Sequence, residues 1–333
     1  MLTGRFPDPV EIRLPRGGSG IFPLALAQLS GNGARAGVVK DAGDDPDVTH
    51  GALVVAETAW AAPGSGIGFA AGEGVGTVTR SGLSLAVGEP AINPAPRALI
   101  RNMLLDAAAE ISAPPPDLTV TISIPGGDRL AEKTMNARLG IIGGLSILGT
   151  TGIVVPFSCT SWIHSIHRGI DVARAAGLDH IAASTGSTSE RAVQRLYDLP
   201  DHALIDMGDF VGGTLKYLRR HPVPRLTIAG GFAKLAKLAA GHLDLHSARS
   251  RVDIAWLAGM LGGLGAEPAT LATARAANGA AEILGVAGEL REMLACAIAG
   301  RAREVALATL CGKTAVEVAI VDRQGSFLAR VGT

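Results

Sequence analysis

The second half of the chain contains the stretch that decides its fold, residues 180–240, HIAASTGSTSERAVQRLYDLPDHALIDMGDFVGGTLKYLRRHPVPRLTIAGGFAKLAKLAA. Short apolar segments at 180–184, 203–207 and 225–229 are each followed by small or polar turn residues and then by a helix-forming segment. Alternation of strands and helices is typical of a parallel sheet covered by helices. The sequence therefore predicts a Rossmann-like parallel α/β domain, which we place at residues 146–333.

The first half has a different rhythm. One helix is predicted at 96–111, and the short β segments between Gly and Pro turns lie at 10–14, 33–40, 52–60, 67–70, 83–87 and 118–124. This order predicts an α+β domain with a mainly antiparallel sheet over residues 1–145. The Ala- and Leu-rich C-terminal region predicts further helices, among them 270–284, 287–298 and 301–311.

Composition limits the function. The 333 residues contain 30 basic and 30 acidic side chains, so the basic excess of a nucleic-acid-binding protein is absent. The longest apolar run, 139–155, is broken by Gly, Ser and Thr and is unsuited to a membrane span. The three cysteines have neither metal-site nor disulfide spacing, which favours a cytoplasmic protein. Assembly into a homo-oligomer is left open.

Residues 40–52, KDAGDDPDVTHGA, concentrate charge in a segment whose Asp, Gly and Pro residues form turns. Carboxylates this close repel one another unless a cation or hydrogen-bond donors lie among them. A solvated turn and a functional site remain equally open on local grounds. Besides Lys40, the polar side chains of this segment are Asp41, Asp44, Asp45, Asp47, Thr49 and His50.

Two further segments suggest ligand contact. GEGVGTVT at 72–79 resembles a dinucleotide fingerprint, but no helix follows, so a glycine turn that approaches a ligand (Gly72, Gly74, Gly76) is favoured. EPAINPAPR at 89–97 places Asn93 and Arg97 at a helix start, where backbone N–H groups favour anions. An ordinary helix-start turn is the alternative for the second segment.

Residues 132–153 combine polar side chains with glycine turns that could wrap a ligand, and a buried structural crossover is the alternative. The residues concerned are Lys133, Asn136, Arg138, Gly149, Thr150 and Thr151. On the predicted helix after Gly230-Gly231, Lys234 and Lys237 suit an anion. The pairs His164/His167 and His242/His246 lack a third ligand, so surface or hydrogen-bonded histidines are favoured over a metal site.

The chain resembles the CbiD family, the cobalt-precorrin-5B C-1 methyltransferases. The resemblance rests on strings in the family's order: KDAGDDPDVTHGA, GEGVGTVTRSGL, VGEPAINPAPR, SIPGG, EKTMNARLGIIGGLSILGTTGIV and GGFAKLAKLAAGHLDLHS. It implies methyl transfer from S-adenosylmethionine to ring carbon one of cobalt-precorrin-5B, giving cobalt-precorrin-6A in anaerobic adenosylcobalamin biosynthesis. It also implies an anionic cobalt-tetrapyrrole substrate whose cobalt is not a protein metal site.

Two departures from the family pattern bear on activity. The usual N-terminal Thr-Thr-Gly-Thr-Cys-Ala-Ala segment and its Ala-rich helix are missing, and Leu2-Thr3-Gly4 resembles the end of that helix. Gly230-Gly231-Phe232 replaces the family's Gly-His pair before the lysine helix. A carrier protein that binds the tetrapyrrole without catalysis is therefore the competing function.

With the resemblance, each candidate residue receives a role. The residues at the reacting face are His50, Thr49 and Asp47, with His50 or an Asp of the loop as any base. The residues that hold the methyl donor are Asp41, Asp44, Asp45, Gly72, Gly74, Gly76, Gly149, Thr150 and Thr151. The residues that hold the substrate are Asn93, Arg97, Lys133, Asn136, Arg138, Lys234 and Lys237.

Overall fold

The computed structural model describes residues 4–14, 17–149 and 159–332, and Thr150 and Thr151 lie outside them. The chain divides into two compact units, Met1–Ser158 and Cys159–Thr333, which are described one at a time. Both units combine helices with sheets, so the prediction of a mixed α/β chain with several sheets is confirmed.

The first unit is built on a five-stranded sheet in the order β3-β4-β5-β8-β6. Its pairs are antiparallel except for β6 and β8, which run parallel. The elements are β1 (Val10–Arg13), β2 (Ser19–Phe22), β3 (Leu26–Ser30), β4 (Gly33–Val39), β5 (Leu53–Trp60), β6 (Ile67–Ala71), β7 (Thr77–Val78), α1 (Pro94–Glu110), β8 (Leu118–Ser123), α2 (Gly127–Ala131) and β9 (Ile141–Ile142).

The alternation of β8 shows how this sheet is stabilised. Leu118, Val120 and Ile122 are buried while the polar residues between them are half-buried, the period of two that a strand requires. Val120 and Ile122 pack with Val75, Ile92 and neighbours in the core of the unit. One predicted strand is wrong: residues 83–87 form bends and the start of a turn, because Leu83 and Leu85 fill a small cluster beside Val78 instead of pairing with a strand.

The second unit has a sheet in the order β11-β10-β12-β13-β14, with parallel pairing except for the antiparallel edge strand β14. Its elements are α3 (Cys159–Ala175), β10 (His180–Ser184), α4 (Ser187–Tyr197), β11 (Leu204–Asp206), α5 (Val211–Arg220), β12 (Arg225–Gly231), α6 (Phe232–Ala239), α7 (Ile254–Gly263), α8 (Pro268–Arg275), α9 (Ala280–Val286), α10 (Arg291–Leu310), β13 (Ala315–Val321) and β14 (Phe327–Val331).

Helix boundaries in the C-terminal region differ from the prediction. The helix predicted at 270–284 is interrupted, because Gly279 begins a new helix and the Asn278 N–H donates to Glu282 Oε2. The two helices predicted between 287 and 311 are one, α10. Its Gly300 costs about 1 kcal/mol relative to Ala, which the buried face of the helix offsets through Ile298, Ala299 and their neighbours.

Helices cover the apolar core of the second unit, which includes α5, α6, α10 and the central strands. No helix within residues 4–14, 17–149 and 159–332 is long and apolar enough to cross a membrane.

Candidate functional site

Three of the sequence motifs meet at one edge of the first sheet. Val39, at the end of β4, is opposite Leu53, at the start of β5, so the loop 40–52 joins them at that edge. The strands β6 and β8 are parallel and end at neighbouring positions, followed by residues 72–76 and 124–127. Motifs far apart in sequence therefore form one polar, glycine-rich edge.

Lys40 holds the acidic loop together from within. Its Nζ contacts both Asp47 Oδ2 and Thr49 Oγ1. Asp47 Oδ1 also accepts hydrogen bonds from Thr49 N at 2.8 Å and from Thr49 Oγ1 at 2.7 Å. Burial raises the pKa of Asp47, but these hydrogen bonds and the Lys40 charge outweigh burial, so its pKa lies below the ordinary value. The predicted cation among the carboxylates is therefore Lys40, and Asp47 and Thr49 brace the turn.

His50 has a defined orientation in the same loop. The backbone N–H of Ala42 donates to His50 Nδ1 at 3.1 Å, so Nδ1 carries no proton and the ring N–H is at Nε2. Asp41 Oδ1 lies 3.8 Å from Nδ1 and accepts the Gly43 N–H at 2.8 Å. His50 thus presents its Nε2–H as a hydrogen-bond donor in this arrangement, and its role as a base stays a prediction.

The remaining carboxylates of the loop differ in exposure. The side chain of Asp41 is largely exposed, and Asp44 is exposed as well. Asp45 is half-buried and has interactions of its own. Asp41 and Asp44 are therefore the carboxylates of the loop that solvent reaches most readily.

Close backbone contacts require the glycines of the segment 72–79. A Cβ on Gly74 would lie 1.9 Å from the Ile124 carbonyl oxygen, and Gly74 has φ +70°. A Cβ on Gly127 or Gly144 would lie 2.4 or 2.2 Å from the Gly74 carbonyl oxygen. A Cβ on Gly72 would meet Ser123 and one on Gly76 would meet Ile141. Packing inside the protein therefore explains these glycines without a ligand.

The segments 89–97 and 132–153 pair with the glycine-rich segment 72–79. Residues 75–77 form bridges to Leu145 and Pro90, and Ile92 bridges to Ile147. The buried Asn136 donates from Nδ2 to the Gly144 carbonyl oxygen at 3.0 Å and accepts from Ser146 Oγ at 3.3 Å. Asn136 therefore supports the glycine turn from the inside, the crossover role that was the alternative for this segment.

Arg97 is also bound to its own motif. It donates to the Ile92 carbonyl at 2.7 Å, to Glu89 Oε2 at 2.6 Å and to the Pro90 carbonyl at 3.0 Å. The helix start beside it is a poor anion site, because Pro94 and Pro96 lack N–H groups. Asn93 is the N-cap residue, and its side chain forms no capping hydrogen bond.

The polar residues around 133–149 are placed differently. Lys133 is exposed, and its side chain forms no hydrogen bond or ion pair with the residues that the structure describes. Arg138 is half-buried and has interactions of its own. Gly149 has φ +49°, and its Cβ would lie 3.0 Å from the Pro96 side chain. Lys133 is thus the most accessible cation among the candidates of the first unit.

The two lysines of α6 have separate environments in the second unit. Lys234 Nζ donates to the Thr185 carbonyl at 2.9 Å and lies 3.1 Å from Asp209 Oδ1. Lys237 is 8% exposed and donates from Nζ to the Leu245 carbonyl at 2.8 Å. Lys237 therefore braces the segment after α6, and only Lys234 lies at the carboxyl edge of the sheet.

Sequence reasoning missed a polar group at that edge, Ser184 at the end of β10. Its hydroxyl is buried, and it has no hydrogen-bond partner among the described residues. The signal was present in the sequence, since the turn STGST directly follows the strand.

Sequence reasoning also missed a buried carboxylate, Glu317 of β13. It accepts hydrogen bonds from Tyr197, Thr227 and Arg330. Nothing in the apolar segment 315–321 indicated that its Glu would find these partners.

The histidine pair of α3 belongs to an aromatic stack. The His167 ring lies 3.9 Å from the Tyr217 ring, which lies 4.2 Å from the ring of His221. Within the described part of the chain, no group of three or more His, Cys, Asp or Glu side chains could hold a metal ion.

Comparisons with known proteins agree along the chain. Sequence profiles of two families match, CbiD at residues 1–156 and "CbiD, C-terminal domain" at residues 244–332. A protein of Brucella anthropi named cobalt-precorrin-5B C(1)-methyltransferase is 56% identical over 332 residues, which cover 99% of this chain and 90% of that protein. Proteins of the same name from Brucella abortus and a Bradyrhizobium species are each 57% identical and are covered to 90% and 88%.

One solved structure is also similar in sequence. It is the crystal structure of a cobalamin biosynthesis protein (cbiD) from Archaeoglobus fulgidus, 26% identical to this chain. The match covers 72% of this chain and 73% of that chain, with a TM-score of 0.36.

Proposed function

This chain belongs to the CbiD family, and we propose that it methylates cobalt-precorrin-5B at ring carbon one with S-adenosylmethionine as donor, forming cobalt-precorrin-6A in anaerobic adenosylcobalamin biosynthesis. The observation that carries the proposal is the near-full-length identity to proteins named for this activity. The same names speak against the carrier function. We also propose that the second unit is a Rossmann-like domain.

The substrate is an anionic tetrapyrrole, and its cobalt is part of the substrate. Its carboxylate arms need cations that are not already committed within the protein. Arg97 and Lys237 have internal partners, and Lys234 contacts the Thr185 carbonyl and Asp209, so we place the exposed Lys133 first among the residues that hold the arms. Arg138 and Asn93 remain proposed contacts.

S-adenosylmethionine supplies an electrophilic methyl group. The bond from the methyl carbon to ring carbon one forms while the sulfur–methyl bond breaks, and its electron pair stays on sulfur. A carboxylate touching the sulfonium would stabilise the ground state more than the transition state and so slow the reaction. We therefore assign Asp41, Asp44 and Asp47 to shaping the loop and to contacting polar groups that lie at a distance from the reacting methyl.

His50 is our proposed contact between the loop and the reacting molecules, through its Nε2–H. The Ala42 N–H donates to Nδ1 on the other side of the ring, so the Nε2–H donor is held in one orientation before any ligand binds. A fixed donor lowers the reorganisation needed in the transition state.

Two substitutions separate the two nitrogens of His50. In His50→Asn the amide oxygen can replace Nδ1 as acceptor for Ala42, but the Nε2–H donor is lost. In His50→Gln the longer amide can replace the outer donor instead. We expect His50→Asn to keep the stability of the wild type and to lose about tenfold in kcat/KM, the value of one hydrogen bond of roughly 1.4 kcal/mol.

The matched variant decides the assignment. His50→Gln should retain more activity than His50→Asn and should unfold at lower urea concentration, because its Ala42 N–H loses its acceptor. Steady-state methyl transfer and urea unfolding measure the two effects. The assignment is wrong if His50→Asn is as active as wild type.

The test of the function is transfer of an isotopically labelled methyl group from S-adenosylmethionine to purified cobalt-precorrin-5B. The proposal predicts label in the tetrapyrrole, formation of S-adenosylhomocysteine and dependence on the protein. A carrier would bind the tetrapyrrole, seen by its absorption spectrum, and leave the label in the donor.

A further inference from the structure

The strand order of the second unit creates a place where two chain connections diverge. β10 has β11 on one side and β12 on the other, and all three strands are parallel. The connection through α4 leads to β11, and the chain then returns past β10 to reach β12. In open parallel sheets, ligands bind outside the carboxyl ends of the strands at such a switch point. We call this region the switch edge, residues 184–189, 206–209 and 230–234.

The start of α4 offers unused donors at the switch edge. Its N-cap is Gly186, which has no side chain to cap the helix. The backbone N–H groups of Ser187, Thr188 and Ser189 form no hydrogen bond to the part of the chain that the structure describes. Glu190 in the same turn is buried and has interactions of its own. The free N–H groups and the helix dipole favour an anionic group.

Ser184 is a second and independent observation. It is 1% exposed, and its Oγ has no hydrogen-bond partner in the described residues. It lies on the same face of β10 as Ala182, which belongs to one buried cluster with Val193 of α4, so the hydroxyl lies on the side of the sheet that α4 covers. A buried hydroxyl without a partner destabilises the folded protein, and a ligand that hydrogen-bonds to it removes this cost.

An acidic residue ends the neighbouring strand. Asp206 is the last residue of β11 and follows Gly186 by 20 residues. In nucleotide-binding sheets of this topology, an acidic side chain about 20 residues beyond the glycine turn holds a ribose hydroxyl. The spacing of Gly186 and Asp206 is therefore suited to a nucleoside.

Lys234 fixes the walls of the switch edge. It joins the loop after β10, through the Thr185 carbonyl, to Asp209 in the loop after β11. A Cβ on Gly230 would lie 2.7 Å from Thr185 Oγ1, so β12 packs directly against the β10 loop. The three loops are held in one arrangement before a ligand binds, which lowers the entropic cost of binding.

Two glycines border open space at this edge. A Cβ added at Gly186 or at Gly231 has no heavy atom within 4 Å. Gly186 has φ 172° and Gly231 has φ −71°, so both have backbone conformations that non-glycine residues also adopt. A larger side chain at either position would occupy the space beside α4 and α6 without a clash inside the protein.

We propose that the switch edge binds the adenosyl methyl donor. The N–H groups at the start of α4 and the Ser184 hydroxyl bind its carboxylate, and Asp206 binds the ribose. The assignment rests on the proposed function for the identity of the ligand. It moves the donor away from the sequence-based candidates Gly72, Gly74 and Gly76, which internal packing explains.

Calorimetric titration of the full chain with S-adenosylhomocysteine tests the site without catalysis. We expect the wild type to bind, and Gly186→Val and Gly231→Val each to weaken binding at least tenfold. Gly279→Val is the matched control: Gly279 is also a helix N-cap with extended backbone and open space at its Cβ, but it precedes α9. It should bind like the wild type, and thermal unfolding should show all four proteins folded.

The outcomes separate this inference from the proposed function. Wild-type binding in both valine variants, or no binding of S-adenosylhomocysteine by the wild type, overturns the inference. Methyl transfer by the wild type together with undiminished binding in the variants leaves the function standing and places the donor elsewhere. Binding of NADH in preference to S-adenosylhomocysteine at this edge also overturns it, because the nucleoside would then belong to a dinucleotide.

Discussion

Replacing Gly74 with alanine is expected to destabilise the first unit by about 2–6 kcal/mol. Its Cβ would lie 1.9 Å from the Ile124 carbonyl oxygen and 2.8 Å from the Gly127 nitrogen, and neither backbone atom can move away independently. Overpacking costs roughly 1–3 kcal/mol and a left-handed non-glycine residue a further 1–3 kcal/mol. Urea unfolding followed by circular dichroism measures the loss, and methyl transfer should fall with the folded fraction.

Gly31→Ala is the control in the same unit. Gly31 has no atom within 4 Å of an added Cβ and no positive φ. Alanine there should leave stability unchanged or raise it by about 0.4–1 kcal/mol, because the unfolded chain loses freedom. If Gly74→Ala is as stable as Gly31→Ala, the glycine motif does not serve backbone packing, and contact with a ligand becomes its better explanation.

The second large effect is expected from Glu317→Gln in the second unit, a loss of roughly 3 kcal/mol. The Glu317 side chain is fully buried within the sheet. It accepts hydrogen bonds from Tyr197 Oη at 2.6 Å, Thr227 Oγ1 at 2.8 Å and Arg330 Nη2 at 2.9 Å. Arg225 and Arg330 also lie against the Tyr197 ring, so removing the charge disturbs α4, β12 and β14 together.

The pH dependence identifies the charge as the cause. Burial raises the pKa of Glu317, but the hydrogen bonds from Tyr197, Thr227 and Arg330 outweigh burial and hold its pKa below the ordinary value. A carboxyl with a lowered folded pKa contributes stability above its unfolded pKa, about 4.3, and loses it as the pH falls through the folded value. The stability difference between wild type and Glu317→Gln should therefore be constant near neutrality and shrink below about pH 4.

Glu304→Gln, which breaks an exposed ion pair, is the matched control for Glu317→Gln. Glu304 accepts a 2.6 Å hydrogen bond from Arg301 one turn away, and both side chains are more than half exposed. The substitution should cost less than about 0.5 kcal/mol. Equal losses for the two variants, or a Glu317 effect that persists unchanged at pH 3, would mean that the buried network contributes no more than a surface pair.

Local patterns were sufficient to predict the parts of the fold in which one segment determines its own structure. The strands at 180–184 and 225–231 and the helix Val211–Arg220 follow directly from apolar runs bounded by small residues. The edge strand 26–30 was missed because LAQLS is mostly exposed and has little apolar pattern. Tertiary packing decided the helices near Gly279 and Gly300, where local propensity favoured different boundaries.

The site could be predicted only in outline, because its geometry depends on distant partners. Gly74 contacts residues more than 45 positions away, which no local pattern reveals. The acidic loop was recognisable from its composition, but the position of Lys40 between Asp47 and Thr49 follows from the path of the loop. Conversely, the spacing from Gly186 to Asp206 was visible in the sequence and gained meaning only with the strand order.

The central claim is that this chain methylates ring carbon one of cobalt-precorrin-5B, and the position of the transferred carbon tests it most directly. The full chain is incubated with cobalt-precorrin-5B and S-adenosylmethionine carrying a ¹³C methyl group, and the isolated tetrapyrrole is examined by NMR. The account predicts a single new ¹³C methyl resonance on ring carbon one, together with S-adenosylhomocysteine. A labelled methyl on another carbon, or no label in a tetrapyrrole that the protein nevertheless binds, would contradict it.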